Sequence, residues 1–449
     1  MSERFDAIVV GLGPGGEVAA GRLLEAGKTV AVIERELIGG ECAYWACIPS
    51  KTLLRATEAA AAAGRVAGIE APAIDWPALR DYRDYMVRHL DDAAQVEGYE
   101  QRGATVVKGE ARLVGPGEVA VGDQVLHAAE VVVATGSEPV RPPIEGLEAA
   151  EVWTNREAAT LTDIPGRVVV LGGSAVGVEL GQFLARMGAR VTIVETAERL
   201  VPREHPRVGE LARRALEADG IDVRTGVEAT RVLRTGSSST VEVSDGSRIE
   251  TDVILLATGR RPRTAGLGLE TAGARTDERG AVVVDERCRA AERLWALGDV
   301  TGVALFTHVA MYQGRVVAAN LCGTDRTARY EGIPRVVFSD PEIAAVGLGP
   351  DAARQAGIEV TTGEIDLAET IARPWTYEKE PAGTLGVVVD RRRRVLVGAW
   401  AVAPLAGEWI HQAALAIRAA IPVETLLDQV AQFPTYAEAY VAALESLDR

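Results

Sequence analysis

Two glycine-rich turns, each lying between a short apolar strand and a helix, constrain the fold more than any other feature of this sequence. The first turn follows the strand Ala7–Val10 and precedes a helix predicted from about Glu17 to Glu25. The next strand ends in an acid, Glu34. Three spaced glycines allow a tight bend, the approach of a pyrophosphate to the backbone, and close packing of helix on strand. Here these glycines are Gly11, Gly13 and Gly16. The order of elements predicts a dinucleotide-binding βαβ unit, with pyrophosphate at the helix N-terminus and ribose on the acid.

The same order recurs in the middle of the chain. A strand, Arg167–Leu171, leads into a second turn, a helix, and a strand that ends at Glu195. The three turn positions are Gly172, Ser174 and Gly177. Serine is small, so a pyrophosphate can still approach. A carboxylate at Glu195 favours a free ribose hydroxyl over a 2′-phosphate, so we expect NADH rather than NADPH, although Arg199 and Arg203 follow closely.

A pair of cysteines, Cys42 and Cys47, follows the first dinucleotide unit. Lys51 lies four residues after the second cysteine, so on a helix the two side chains share a face. A nearby cation or flavin favours the reactive thiolate. The alternatives are a structural pair or half of a metal site, but Cys288 and Cys322 stand alone and no ligand set with metal spacing is present. The context therefore predicts a redox-active disulfide and no metal site.

Length and charge limit the remaining possibilities. A chain of 449 residues is long enough for about three domains. The formal net charge of −16 argues against nucleic acid and anionic membranes as partners, and no apolar run is long enough to span a bilayer. Because Met1–Asp6 leads straight into a strand, we expect a cytoplasmic protein. A disulfide that persists there is usually catalytic or redox-sensing.

Two dinucleotide units beside a redox disulfide favour FAD and a nicotinamide as the two cofactors, because a flavin can pass the two electrons of a hydride to a disulfide. Three shorter motifs fit this arrangement by their order. They are Ala134–Gly136, Ala257–Gly259 and Leu294–Asp299.

Together these residues resemble the flavoprotein disulfide reductases, the family of dihydrolipoamide dehydrogenase, glutathione reductase and mercuric reductase. The resemblance covers nearly the whole chain. Besides the motifs above, it includes Gly39–Lys51, Val178–Glu179, Val337–Ile343, Gly407–His411 and Phe433–Thr435.

The resemblance implies roles for individual residues. Cys47 is expected to be the thiol nearer the flavin, and Cys42 the outer thiol that exchanges with substrate. Lys51 is expected near the reactive edge of the flavin, paired with Glu179, while Asp299 is expected to hold the ribityl chain. The expected cofactor-binding set is Gly11, Gly13, Gly16, Glu34, Gly40, Thr135, Gly136, Asp299, Gly172, Ser174, Gly177, Glu195 and Gly259.

One departure from the family concerns the proton donor. Most relatives that reduce disulfides carry His-Pro-Thr followed by a glutamate, and this histidine is the acid/base in the neighbouring subunit's site of a homodimer. This chain has Phe433 in place of the histidine and retains Glu438. Phenylalanine cannot move a proton, and acid–base catalysis is typically worth about 10²–10⁴-fold. Tyr436 and Tyr440 are nearby alternatives, and His411 is expected to be a packed or surface histidine.

Two further departures bear on the flavin pocket and the substrate. Glu41 stands where many relatives have threonine, so we expect the flavin pocket to differ. The sequence shows neither an N-terminal heavy-metal-binding module nor a C-terminal cysteine pair, which weighs against a standard mercuric reductase.

Three functions remain open from the sequence. The first is an NADH-dependent enzyme that uses the disulfide on an unusual acceptor, such as a particular disulfide, a persulfide or a metal ion. The second is a flavin enzyme that reduces a quinone or similar acceptor directly, with an auxiliary disulfide. The third is a degenerate, non-enzymatic flavoprotein subunit.

The expected fold is α/β, with two Rossmann-like dinucleotide-binding domains and a C-terminal α+β dimerisation domain. Residues 1–148 and 264–329 are expected to form the FAD domain and residues 149–263 the nicotinamide domain. Residues 330–449 are expected to form the interface domain.

Overall fold

The computed structural model describes residues 4–448, and these form two compact units. Among the described residues, the first unit comprises 4–49, 81–140 and 259–329, and the second comprises 50–80, 141–258 and 330–448. Met1–Glu3 and Arg449, which the predicted domain bounds include, lie outside the described residues. The α/β class with two Rossmann-like sheets and a separate C-terminal sheet is confirmed. The predicted three-domain division stays a prediction.

The first unit is built on an eight-stranded sheet. Its central strands, Gln124–Val133, Arg4–Val10 and Val30–Glu34, run parallel and are buried at their carboxyl ends. The outer strands of the path are Thr105–Lys108, Leu294–Ala296 and Arg289–Ala291, and a hairpin of Ala111–Gly115 and Glu118–Val121 joins Gln124–Val133. A separate two-stranded ribbon consists of Ser137–Pro139 and Arg260–Pro262.

Helices of the first unit flank this sheet. The helix Pro14–Glu25 begins three residues earlier than predicted, because proline is favoured in the first helical turn, where its missing N–H costs no hydrogen bond. The other helices are Gly40–Tyr44, Ala93–Gln101 and Thr307–Leu321. Each of two further helices contains residues assigned to both units. They are Cys47–Arg65 and Trp76–Met86.

The second unit contains the other dinucleotide sheet. Its five parallel strands lie in the order Asp222–Thr225, Arg190–Glu195, Arg167–Leu171, Val253–Leu256 and Val152–Trp153. An antiparallel sheet accompanies it, formed by Ala229–Thr235, Ser238–Val243 and Arg248–Thr251. The helices of this part are Asn155–Ala159, Ala175–Arg186 and Pro206–Ala218. Val168–Leu171 is an unbroken buried apolar run, as expected for a parallel strand covered on both faces.

The second unit also holds a five-stranded antiparallel sheet from the C-terminal part of the chain. Its order is Pro334–Val337, Glu342–Gly347, Val395–Ala403, Thr384–Asp390 and Val360–Asp366. The helices around it are Pro350–Gln355, Leu367–Thr370, Arg373–Tyr377, Ala406–Trp409, His411–Arg418, Val423–Leu427 and Ala439–Glu445. No helix in the described part of the chain combines the length and apolar character needed to cross a bilayer.

Candidate functional site

The predicted site residues divide between the two units. The first unit contains Gly11, Gly13, Gly16, Glu34, Gly40, Cys42, Cys47, Thr135, Gly136, Gly259 and Asp299. The second contains Lys51, Gly172, Ser174, Gly177, Glu179, Glu195 and Glu438.

Two backbone N–H groups hold the carboxylate of Glu34, and one of them belongs to the first glycine turn. Its Oε2 accepts a hydrogen bond from the N–H of Leu12 at 2.8 Å, and its Oε1 accepts one from the N–H of Glu36, also at 2.8 Å. An ionised carboxylate has about four acceptor positions, so these two bonds leave capacity for the hydroxyls of a ribose. The protein's own backbone therefore holds this carboxylate in place.

The second turn repeats this arrangement at the same spacing. Glu195 accepts from Gly173, 22 residues earlier, at 2.6 Å, and from Ala197, two residues later, at 2.7 Å. Glu34 uses the same offsets of 22 and two residues. The turns differ at the middle position, where the Ser174 hydroxyl donates to the carbonyl oxygen of Ala257 at 2.9 Å.

The first turn has the shape needed to hold a dinucleotide. A Cβ at Gly16 would lie 2.0 Å from the carbonyl oxygen of Gly11, so only glycine allows the helix to pack this closely. A Cβ at Gly13 would meet no atom within 4 Å, so the backbone there borders open space at the start of the helix Pro14–Glu25. Helix N-termini favour anions, and this opening fits the pyrophosphate of FAD.

Gly40 brings the cysteine segment against the first glycine turn. A Cβ at Gly40 would lie 2.8 Å from the Cα of Gly13, and the N–H of Gly39 donates to the carbonyl oxygen of Leu12 at 2.7 Å. The short helix that follows carries Cys42. The glycine turn and the segment that carries Cys42 therefore pack against each other.

Cys42 and Cys47 lie near each other, and both side chains are half-buried. Cys47 is the first residue of the helix Cys47–Arg65, and its Sγ lies 3.4 Å from the hydroxyl of Thr307. Thr307 in turn begins the 15-residue helix Thr307–Leu321. Either of these two atoms can be the donor, so the hydroxyl is placed to donate to the sulfur whenever the sulfur carries negative charge.

The predicted pair of Lys51 and Glu179 is present. Lys51 Nζ lies 2.6 Å from Glu179 Oε2, and the glutamate side chain is 7% exposed. The second carboxylate oxygen accepts from the N–H of Phe338 at 2.9 Å, and Lys51 Nζ lies 4.8 Å from the centroid of the Phe338 ring. Lys51 lies four residues after Cys47 in the helix Cys47–Arg65.

Asp299 receives a hydrogen bond from Ser137, whose hydroxyl lies 2.6 Å from Oδ2. Burial raises the pKa of Asp299, while the Ser137 hydroxyl and the charge of Arg260 oppose this shift. Thr135 lies two residues before Ser137, and its hydroxyl donates to the carbonyl oxygen of Arg263 at 2.8 Å. A carboxylate held in this way is suited to accept hydrogen bonds from a polyhydroxyl chain.

Gly136 and Gly259 directly precede the two strands of the ribbon in the first unit, and their carbonyl groups accept hydrogen bonds at its two ends. Gly136 O accepts from the N–H of Arg263 at 3.0 Å, and Gly259 O accepts from the N–H of Val140 at 3.0 Å. Both Ala-Thr-Gly motifs thus lead into one ribbon. We did not predict this pairing from the sequence.

The C-terminal segment around Phe433, residues 432–440, contains no histidine. Phe433 is 75% exposed. Burial raises the pKa of Tyr436 and of Tyr440 far above the usual value for tyrosine, so neither hydroxyl is suited to proton transfer near neutral pH. Oε1 of Glu438 is buried and has no hydrogen-bond partner among the described residues.

His411 is the first residue of the helix His411–Arg418 and is exposed, so it is a surface histidine. Within residues 4–448, no group of three or more His, Cys, Asp or Glu side chains is arranged to hold a metal ion.

Sequence reasoning missed three residues that shape the site: Ser137, Arg260 and Thr307. Ser137 and Arg260 each directly follow an Ala-Thr-Gly motif, and that shared position is the signal that could have found them. Thr307 carries no local signal, since its contact with Cys47 joins residues 260 positions apart.

Comparison with protein families matches almost the entire chain. Residues 5–314 match the family described as pyridine nucleotide-disulphide oxidoreductase, and residues 333–444 match the dimerisation domain of the same family.

Individual relatives cover the chain nearly from end to end. A dihydrolipoyl dehydrogenase of Thermus scotoductus is 36% identical over 99% of this chain and 98% of its own length. A mercuric reductase of Streptomyces lividans is 37% identical over 98% of this chain and 96% of its own length. Among solved structures, the Cu(II) complex of the HOCl-induced flavoprotein disulfide reductase RclA from Escherichia coli superposes with a TM-score of 0.87. It is 28% identical, over 98% of this chain and 99% of that one.

Proposed function

The chain belongs to the pyridine nucleotide-disulphide oxidoreductase family, and on this premise we propose that it uses NADH to reduce a thiophilic metal ion by way of the Cys42–Cys47 pair. Enzymes of this family depend on FAD and use NAD(P)H. FAD, when bound, supplies the two-electron carrier between the nicotinamide and the disulfide. The preference for NADH, the role of each residue and the metal acceptor are the proposed parts.

Residues of this chain favour the reduced form of the cysteine pair. Two electrons break the Cys42–Cys47 bond and leave two thiolates, and the proton that NADH delivers with its electrons neutralises one of them. The Thr307 hydroxyl lies 3.4 Å from Cys47 Sγ and can donate to it, which would favour negative charge on Cys47. Cys42 is then left as the thiol that meets the acceptor.

The observation that carries the choice of acceptor is Phe433 in a segment that contains no histidine and whose two tyrosines have raised pKa values. Reduction of a disulfide consumes a proton overall: NADH + H⁺ + RSSR gives NAD⁺ + 2 RSH. Reduction of a divalent mercury ion does not: NADH + Hg²⁺ gives NAD⁺ + H⁺ + Hg⁰. Two Cu²⁺ ions reduced to Cu⁺ likewise release a proton. A metal ion therefore suits a site whose Phe433, Tyr436 and Tyr440 deliver no proton.

Two comparisons support a metal ion. The relative from Streptomyces lividans is named a mercuric reductase, and the RclA structure is described as a Cu(II) complex. Thiolates are ligands that soft metal ions prefer, and a pair of adjacent cysteines supplies two of them.

The preference for NADH rests on Glu195. Its carboxylate is fixed by two backbone N–H groups and is 8% exposed, so it cannot turn away from an added 2′-phosphate. Arg199, the nearest basic residue along the chain, donates to the carbonyl oxygen of Pro202 at 3.1 Å. The dimerisation domain at residues 333–444 supports a homodimer.

The acceptor is tested by measuring NADH oxidation with Hg(II), Cu(II), lipoamide, glutathione disulfide and a benzoquinone. We expect the metal ions to give the highest kcat/KM and Cys42→Ser to reduce their turnover by about 10²-fold or more, as loss of a nucleophile usually does. Benzoquinone turnover that survives Cys42→Ser while metal turnover is absent would favour direct transfer from the flavin and overturn the proposal.

Phe433→His tests why disulfides are poor acceptors. A positioned imidazole can give about 10²–10⁴-fold, so we expect lipoamide turnover to rise by about tenfold or more, with Glu438 available to orient the ring. Metal-ion turnover and reduction of the protein by NADH should change little. Val430→His is the matched control, because Val430 is 99% exposed nearby in the chain. An equal rise in both variants, or ordinary lipoamide turnover in the unmodified protein, would contradict the role given to Phe433.

A further inference from the structure

Glu41, the residue directly before Cys42, is joined to a cation from a distant part of the chain. Its Oε1 lies 3.6 Å from Nη2 of Arg260, and the two side chains are only 21% and 22% exposed. Partly buried pairs are screened less by solvent than surface pairs. The carboxylate that replaces the threonine of many relatives thus has a defined electrostatic partner.

Arg260 also holds Ser137 at two points. Its Nε donates to the Ser137 hydroxyl at 2.8 Å, and its Nη2 donates to the Ser137 carbonyl oxygen at 2.9 Å. Ser137 is only 4% exposed. Because the N–H of Arg260 occupies an acceptor position of the hydroxyl, the serine proton is directed to its other partner, Asp299 Oδ2, at 2.6 Å.

The backbone fixes this arrangement. Arg260 begins one strand of the ribbon and Ser137 begins the other, with Arg260 opposite Pro139 and Ser137 opposite Pro262. Both strands follow directly after Ala-Thr-Gly motifs. The pairing of the two strands thus places Arg260 beside Ser137. The Arg260 side chain therefore loses little additional conformational entropy when it contacts both Ser137 and Glu41.

The charges in this chain of contacts act on Asp299 in opposite directions. Burial, the largest cause, raises the pKa of Asp299, and the negative charge of Glu41 raises it further. The hydrogen bond from Ser137 and the positive charge of Arg260 lower it. Arg260 therefore stabilises the ionised carboxylate that accepts hydrogen bonds.

We propose that Arg260 is a positioning residue that aligns Asp299 for the flavin through Ser137, and that Glu41 couples this same cation to the segment carrying Cys42. The inference rests on the proposed role of Asp299 in holding the flavin. Its consequence is that one ion pair sets both flavin affinity and the reactivity of the outer thiol. Threonine at residue 41 has no charge and would not make this link.

The test uses Arg260→Gln, Glu41→Gln and the double variant in the full-length protein. Arg261→Gln is the matched control, because Arg261 is the next residue, is 67% exposed and pairs with Glu138 at the surface. Two quantities are measured: the Kd of the apoprotein for FAD, from quenching of flavin fluorescence, and the rate of Cys42 alkylation by iodoacetamide in the reduced apoprotein, from mass spectrometry.

We expect Arg260→Gln to raise the Kd for FAD by about tenfold or more, and Arg261→Gln by less than about twofold, since charged partners of a buried polar group matter more than surface ones. Glu41→Gln and Arg260→Gln should each change the alkylation rate of Cys42 by about threefold or more. The double variant should match Arg260→Gln alone, because residues that act through one contact are not additive.

The inference is overturned if the Kd for FAD of Arg260→Gln equals that of Arg261→Gln, or if Cys42 alkylation is unchanged in Glu41→Gln. If circular dichroism shows that Arg260→Gln does not fold, the Kd for FAD and the alkylation rate of Cys42 are measured in Arg260→Lys instead. Lysine keeps the charge but cannot make the planar two-point contact with Ser137. Failure of the unmodified protein to bind FAD would instead contradict the proposed function. The two failures are therefore distinguishable.

Discussion

The carboxyl group of Glu342 should make the stability of this protein depend on pH. Burial raises the pKa of this group to about 7, and the negative charges of Glu58 and Glu408 contribute in the same direction. The N–H of Gly407, which donates to Oε2 at 2.8 Å, opposes the shift. Glu342→Gln keeps an oxygen acceptor for Gly407 and removes the ionisation.

The sign and size of the effect follow from the two pKa values. In the unfolded chain the ordinary value is 4.5, so the folded state holds the proton more tightly. As pH rises from about 4.5 to about 7, the unfolded state ionises first and the folded state loses stability relative to it. A shift from 4.5 to about 7 sets an upper limit of about 3 kcal/mol at about 1.4 kcal/mol per unit. Solvent screening of a half-buried group reduces this to about 1–2 kcal/mol.

We therefore expect Glu342→Gln to be more stable than the unmodified protein by about 1–2 kcal/mol near pH 8, and equal to it near pH 5. The assay is urea unfolding followed by tryptophan fluorescence across this pH range. Glu278→Gln, at an exposed position, should shift the midpoint equally at all pH values. A stabilisation by Glu342→Gln that is the same at both ends of the range, or a loss of stability near pH 8, would refute the reasoning.

Three other predictions concern cofactors and thiols. Gly13→Ala should change the stability to urea by less than about 1 kcal/mol, because the added Cβ meets only open space, but it should weaken FAD binding by about tenfold or more. Gly16→Ala should lower the stability itself, because its Cβ would lie 2.0 Å from a carbonyl oxygen. Equal FAD affinity of Gly13→Ala and the unmodified protein would contradict the placement of the pyrophosphate. Cys47→Ser should remove the long-wavelength absorbance of a thiolate beside the flavin, while Cys42→Ser should show that absorbance without NADH. Unchanged spectra in both variants would exclude the pair from the electron path. NADH should exceed NADPH in kcat/KM by an amount on the order of 1–3 kcal/mol because of Glu195, and a steady-state preference for NADPH would reverse that assignment.

Local sequence patterns were sufficient to predict the dinucleotide turns. The strand, the spaced glycines and the terminal acid lie within about 30 residues, so their spacing alone indicates the βαβ unit. The hydrogen bonds of Glu34 and Glu195 across 22 residues agree with that prediction. The pairing of Lys51 with Glu179 spans 128 residues and was expected only because the chain resembles a known family.

Contacts between distant segments could not be read from the sequence. Ser137 and Arg260 are 123 residues apart, and although each directly follows an Ala-Thr-Gly motif, nothing in either motif indicates that the two side chains meet. The tyrosines near Phe433 illustrate a second limit. Tyr436 and Tyr440 have hydroxyls in the expected segment, but burial in the C-terminal core, which raises their pKa, depends on tertiary packing.

The difference between Gly13 and Ser174 has a consequence for how long each nucleotide stays bound. At the first turn the backbone is bare and the neighbouring space is open, so a pyrophosphate can contact several N–H groups at close range. At the second turn a hydroxymethyl group occupies the equivalent position, and its hydroxyl is already engaged by the carbonyl oxygen of Ala257. We therefore expect the first nucleotide to have the slower dissociation rate and to remain through many reaction cycles. We expect the second to be released and replaced in each cycle, so that turnover depends on its concentration in solution.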